Sequence, residues 1–85
     1  MNKTAFITGA TSGIGKATAE ILAQNKYKII LCGRREDRLT ELATSLSKLT
    51  DVHCLQFDVR DKKAVFESIN SLPEAFSSID ILINN

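Results

Sequence analysis

Tryptophan is missing from this 85-residue sequence, and tyrosine, histidine and proline each occur once. There is no apolar run of the ~18 residues that would read as a bilayer-spanning helix, so no membrane role is expected. Met1-Asn2-Lys3 leads directly into a short strand-like run, without the long apolar stretch of a secretion signal. The two cysteines, Cys32 and Cys54, lie in apolar runs with no Cys-x-x-Cys pair and no cluster of ligands around them. They read as buried thiols in a reducing cytosol rather than as a metal site, which makes the expected location cytoplasmic. An excess of charge of one sign is also lacking: 11 Lys and Arg against 10 Asp and Glu leave a net charge of +1. That balance argues against nucleic acid or a membrane surface as a partner held by bulk charge. No internal repeat, low-complexity tract or linker interrupts the chain, and the lone His53 reads as a structural residue in an outer strand.

What the sequence does have is a regular alternation of two hydrophobic periods, in a composition 44% apolar and 25% charged. Strand one is expected over Thr4–Thr8 and helix one over Ser12–Gln24, with Ile14, Ala17, Ile21 and Leu22 as its apolar face. Asn25, which tolerates the left-handed conformation, is the expected helix-ending residue. Strand two is expected over Lys28–Cys32, apolar on both faces as a buried parallel strand reads. Helix two is expected over Arg35–Leu49, burying Leu39, Leu42, Ala43, Leu46 and Leu49 and turning Glu36, Arg38, Glu41 and Lys48 outward. Strand three is expected over Val52–Phe57. Helix three then follows, capped by Asp61, with Val65, Phe66, Ile69 and Leu72 as its face and Pro73 as its stop. A turn or short helical connector over Pro73–Ser78 leads to strand four, Ile79–Ile83. Strands alternating with helices imply a parallel sheet with right-handed crossovers. The predicted fold is α/β: a Rossmann-type, doubly wound, three-layer arrangement with strand order 3-2-1-4, incomplete at its C-terminal end.

Three of the four glycines lie where the first strand turns into the first helix, in Thr8-Gly9-Ala10-Thr11-Ser12-Gly13-Ile14-Gly15. Glycine permits φ > 0 and lets a ligand approach where a β-carbon would clash. The helix that follows presents unpaired N–H groups and the positive end of its dipole. A pyrophosphate suits such an elbow. Twenty residues past Gly13, where an NAD site places a carboxylate for the ribose 2′-hydroxyl, stand Gly33 and then Arg34 and Arg35. Paired guanidinium groups suit a 2′-phosphate through charge-assisted, forked hydrogen bonds, which points to NADP.

The spacing Thr8-Gly9-x-x-x-Gly13-x-Gly15 resembles the fingerprint of the short-chain dehydrogenase/reductase family, and the resemblance extends over all 85 residues. It implies a loop Gly9, Ala10, Thr11, Ser12, Gly13 and Ile14 on the cofactor, and an adenine contact from Asp58 and the backbone of Val59. In the family's Asn-Asn-Ala-Gly motif, Asn84 stitches the central sheet and Asn85 borders the cofactor. Gly33-Arg34-Arg35-Glu36-Asp37-Arg38-Leu39-Thr40-Glu41-Leu42 further resembles the NADP-dependent 3-hydroxy acid (serine or allo-threonine) dehydrogenases, as does Asp58-Val59-Arg60-Asp61.

The family's catalytic Ser, Tyr and Lys are not among these residues: Tyr27 is followed four positions later by Leu31, not lysine, and precedes strand two, away from the crevice. The expectation is therefore the cofactor-binding portion of a longer, single-domain, homo-oligomeric reductase. It would move a hydride between NADP(H) and a small hydroxy or keto substrate. A non-catalytic NADP-binding regulatory module and an inactive fragment are the alternatives.

Overall fold

The computed structural model describes residues 3–11, 13–58 and 60–84. The chain alternates β1 (Thr4–Thr8), α1 (Gly13–Gln24), β2 (Lys28–Gly33), α2 (Glu36–Leu46), β3 (Val52–Gln56), α3 (Lys62–Asn70) and β4 (Ile81–Asn84), with one 3₁₀ turn, Glu74–Phe76, before β4. The four strands form one sheet in the order β3-β2-β1-β4. Every pairing is parallel, with Ile7 opposite Leu31, Thr8 opposite Asn84 and Gly33 opposite Gln56. The expected fold class and strand order are thus observed.

Alternation along the strands splits the apolar side chains between two faces. Ala5, Ile7, Ile29 and Leu31 join Ala19 and Ala23 of α1 and Leu39, Leu42 and Leu46 of α2 in one buried cluster. Phe6, Ile30, Cys32, Leu55 and Phe57 meet Phe76 on the other side, with Ala64, Val65 and Leu72 packed against them. His53 stacks there, its ring centroid 5.5 Å from that of Phe76, in a packing role as expected. Cys32 is buried and Cys54 half-buried, both free. Burial, with Cys54 nearby as a smaller cause, pushes the Cys32 thiol up to about 12, so it stays protonated and inert.

Several element details differ from expectation. Helix α1 does not bury Ile14, Ala17 and Ile21: Ile14 is 76% and Ile21 58% exposed. Its buried stripe is Gly15, Ala19 and Ala23, spaced four apart, with Leu22 half-buried beside it. Small residues let the helix axis lie close on the sheet, and that closeness outweighs the larger apolar area of the isoleucines. The left-handed residue after α1 is Lys26 (φ 66°), one later than Asn25. Tyr27 N donates to Leu22 O at 3.0 Å and Lys26 N to Ala23 O at 3.0 Å, the pattern of a Schellman turn. Asn25 instead donates its side-chain amide to Ile21 O at 2.8 Å.

Helix α2 ends at Leu46 rather than Leu49, where Ser47 Oγ donates back to Ala43 O at 2.6 Å and competes with further helix. Strand β3 stops at Gln56, although Phe57 N still donates to Gly33 O at 3.0 Å. Asp61 caps α3, accepting from Ala64 N at 3.1 Å as expected, but α3 buries no residue and leaves Phe66 70% exposed. Strand β4 begins at Ile81, not Ile79, because Asp80 forms a clamp before it. Thr4 N donates to Asp80 Oδ2 and Asp80 N donates to Thr4 O, each at 2.9 Å.

Two outcomes follow. Replacing Ala19 with leucine forces α1 off the sheet and lowers stability by about 1–3 kcal/mol, measured by thermal or denaturant melting; an unchanged melt would show that the helix stands clear of the strands. The 85-residue chain expressed by itself self-associates through its β4 edge, where Leu82 is 66% exposed. A sharp, dispersed amide NMR spectrum from a monomer would contradict this.

Candidate cofactor site

Because all four strands run the same way, their carboxyl ends share one edge of the sheet. The chain crosses from one face to the other between β3 and β4, so β1 and β4 diverge in their connections at this edge and open a crevice. Thr8 hydroxyl holds the two strand ends together: it lies 3.0 Å from Asn84 Oδ1 and 3.4 Å from Ile83 O, both acceptors. Asn84 therefore stitches β4 to β1.

The loop after β1 turns through Gly9 (φ 59°) and Gly13 (φ 56°), two left-handed positions that a branched side chain resists. Ala10 is fully buried and donates its N–H to Cys32 O at 3.2 Å, which pins the loop to β2. A β-carbon built on Gly13 would meet nothing within 4 Å. The space over this glycine is open, so its identity answers to backbone conformation and to whatever enters from solvent, not to packing within the chain. Ile14 projects beside it, a large apolar side chain left in solvent. Behind them α1 begins at Gly13, so its first N–H groups face the same opening. The arrangement suits an anion of the size of a diphosphate.

At the end of β2, Gly33 is packed from both sides. A β-carbon there would touch the Thr11 methyl and Leu39 Cδ2, each at 3.4 Å. A longer side chain, including a carboxylate, would have to displace one of them. This close approach of loop and strand was not read from the sequence; its signal is the glycine at a strand end, opposite a threonine in the loop. Arg34 and Arg35 follow, both exposed. Gln56 Nε2 donates to Arg34 O at 3.0 Å and fixes the backbone there. Arg35 is the N-cap of α2 and makes no side-chain capping bond. Cations at a helix start are poorly placed against the dipole, which Glu36 and Asp37 in the first turn partly offset. An anion bound between the arginines would complete the balance.

Asp58 stands past the end of β3, 32% exposed, and is gripped by Arg60. Arg60 N donates to Oδ1 at 2.9 Å, Nε lies 3.1 Å from both oxygens, and Nη2 donates to Oδ2 at 2.7 Å. The Arg60 side chain foremost, then its backbone N–H, and more weakly the charge of Arg34 hold the Asp58 carboxyl at about 2. The group is thus ionised at every physiological pH and acts only as an acceptor, the role an amino group on a purine requires. The Arg60 bond was also unread from the sequence, although Asp-x-Arg in a turn is a signal for it. The ends of β2 and β3 lie beside one another, with Gly33 opposite Gln56.

Gly9, Ala10, Thr11, Gly13, Ile14, Arg34, Arg35 and Asp58 therefore gather on one edge. The other expected positions, Ser12, Val59 and Asn85, lie outside the described residues. Tyr27 packs against the first core cluster ahead of β2, at the opposite edge of the sheet, with no part in the crevice. Among the described residues no group of His, Cys, Asp and Glu side chains is arranged to hold a metal.

Known proteins carry the same architecture. The profile of the short chain dehydrogenase family matches residues 3–85. Sulfoacetaldehyde reductase 2 of Chromohalobacter salexigens is 52% identical over 85 residues, all of this chain and 34% of that protein. Serine 3-dehydrogenase of Agrobacterium fabrum is 44% identical over 85 residues, all of this chain and 33% of the relative. The crystal structure of L-sorbose reductase from Gluconobacter frateurii, complexed with NADPH and L-sorbose, matches with a TM-score of 0.90 at 41% identity, over 99% of this chain and 33% of that one. The chain spans about a third of the length of the relatives it matches. The likeness to serine and 3-hydroxy acid dehydrogenases expected from residues 33–42 is found among them. On its fold, its glycine elbow and this match along nearly its whole length, the chain belongs to the short chain dehydrogenase family.

Proposed function

We propose that this chain is the cofactor-binding portion of a longer, single-domain NADP-dependent oxidoreductase. The observation that carries the reading is the open space over Gly13 at the same edge of the sheet as two exposed arginines, which stand where an NAD site has a carboxylate. The loop Gly9, Ala10, Thr11, Ser12, Gly13 and Ile14 takes the diphosphate. Arg34 and Arg35 take the 2′-phosphate, Asp58 and the Val59 backbone take the adenine, and Asn85 borders the cofactor. Each charge-assisted bond contributes about 1.5–3 kcal/mol, less at a solvent-exposed site, so two guanidinium groups suffice to separate NADPH from NADH. When bound, NADPH supplies the hydride. This chain's residues bind and orient the nucleotide, and the serine, tyrosine and lysine that act on substrate lie outside them.

The substrate we assign is a small hydroxy or keto compound, with a 3-hydroxy acid such as serine or allo-threonine as the nearest fit. The support is the likeness to serine 3-dehydrogenase for the 3-hydroxy acid, and to sulfoacetaldehyde reductase 2 for a small carbonyl compound. Free thiols at Cys32 and Cys54 fit a reducing cytoplasm. No described helix is long and apolar enough to cross a membrane. A homo-oligomeric assembly of the full-length protein completes the proposal.

Replacing both Arg34 and Arg35 with alanine in the full-length protein weakens NADPH binding about tenfold or more and leaves NADH binding nearly unchanged. Calorimetry checks this, and equal losses for the two nucleotides refute the assignment. Gly13→Val places a branched side chain at φ 56° in the open space. The variant remains folded by circular dichroism and loses affinity for both nucleotides. Unaltered affinity in a folded variant would mean that the diphosphate lies elsewhere.

A further inference from the structure

We infer that Arg38 is a third selecting cation, reaching the 2′-phosphate of NADPH from a cleft between α1 and α2; the inference rests on the NADP reading above. The cleft has a volume of about 330 Å³, and Thr11, Lys16, Glu20, Arg38 and Glu41 are among the residues that line it. Thr11 belongs to the glycine loop, and its methyl lies against Gly33, immediately before Arg34. The cleft therefore opens at the junction of loop and β2, where the adenosine ribose must pass.

Charge is graded along this cleft. Lys16 and Arg38 lie toward the loop end of their helices, while Glu20 and Glu41 stand about one turn further along α1 and α2. Among the described residues neither cation forms an ion pair with either carboxylate. An anion is attracted to the mouth of the cleft and repelled from its far end, which confines it beside Thr11. Arg34 stands on the flank toward β3, where Gln56 Nε2 donates to its backbone O at 3.0 Å. Arg35 and Arg38 occupy the N-cap and N3 positions of α2, a spacing at which side chains meet over the first turn. The junction is therefore bordered by guanidinium groups on both sides. A phosphate monoester carries about −1.5 to −2 charges at neutral pH and three acceptor oxygens, enough to engage a third fork. Arg38 reads in the sequence as one of the outward-facing charges of α2, and only the cleft gives it a ligand to face.

The test is Arg38→Gln in the full-length reductase, titrated with NADPH, NADH, 2′,5′-ADP and 5′-AMP, with the melting temperature followed alongside. NADPH and 2′,5′-ADP are expected to bind about fivefold more weakly, NADH and 5′-AMP unchanged, the melting temperature unmoved, and Arg38→Lys to recover part of the loss. Unchanged NADPH affinity, or equal losses for NADPH and NADH, overturns the inference. If the unaltered protein binds NADPH no better than NADH, the NADP reading fails and Arg38 falls with it. If Arg34 and Arg35 carry the preference while Arg38→Gln retains it, only the role of Arg38 fails.

Discussion

The pairing of β1 on both sides is the constraint from which the remainder follows. With β2 on one flank and β4 on the other, β1 is an inner strand of the sheet, and the chain leaves its carboxyl end by turning into α1. Two left-handed glycines make that turn, Ala10 is tied to β2, and Thr8 is tied to Asn84. The loop is thus tied to β2 through Ala10, and the space over Gly13 stays open. Preformed concavity with backbone N–H groups aimed into it is what an anionic ligand needs, because little ordering entropy remains to be lost on binding.

The same constraint explains the small residues of α1. A helix that starts at the loop must lie flat on β1 and β2, and Gly15, Ala19 and Ala23 permit that approach. The sequence pattern was misleading at this point for a physical reason: hydrophobicity favours the isoleucines as the buried face, but distance of approach decides it. In α2 size and hydrophobicity agree, so Leu39, Leu42 and Leu46 were legible from period alone. Helix α3 shows the opposite limit: its apolar residues keep helical spacing, yet Phe66 is 70% and Ile69 41% exposed.

The strands and their order were legible because β1 and β2 are apolar on both faces, which only a covered parallel sheet tolerates. The glycine elbow and the arginine pair were legible because their chemistry is local in sequence. What was not legible depended on contacts across the fold. Gly33 is sandwiched between Thr11 and Leu39, Asp80 clamps Thr4, and Arg38 lines a cleft with Thr11; each joins residues far apart in the chain. The start of β4 slipped by two residues for the same reason, since the Asp80 carboxylate takes the Thr4 N–H ahead of the ladder.

Parallel calorimetric titration of the unaltered full-length protein with NADPH and with NADH tests the central claim most directly. Saturable heat with NADPH, and NADH at least about tenfold weaker, is the expected result. No heat with either nucleotide, or tighter binding of NADH, would contradict a diphosphate elbow flanked by arginines.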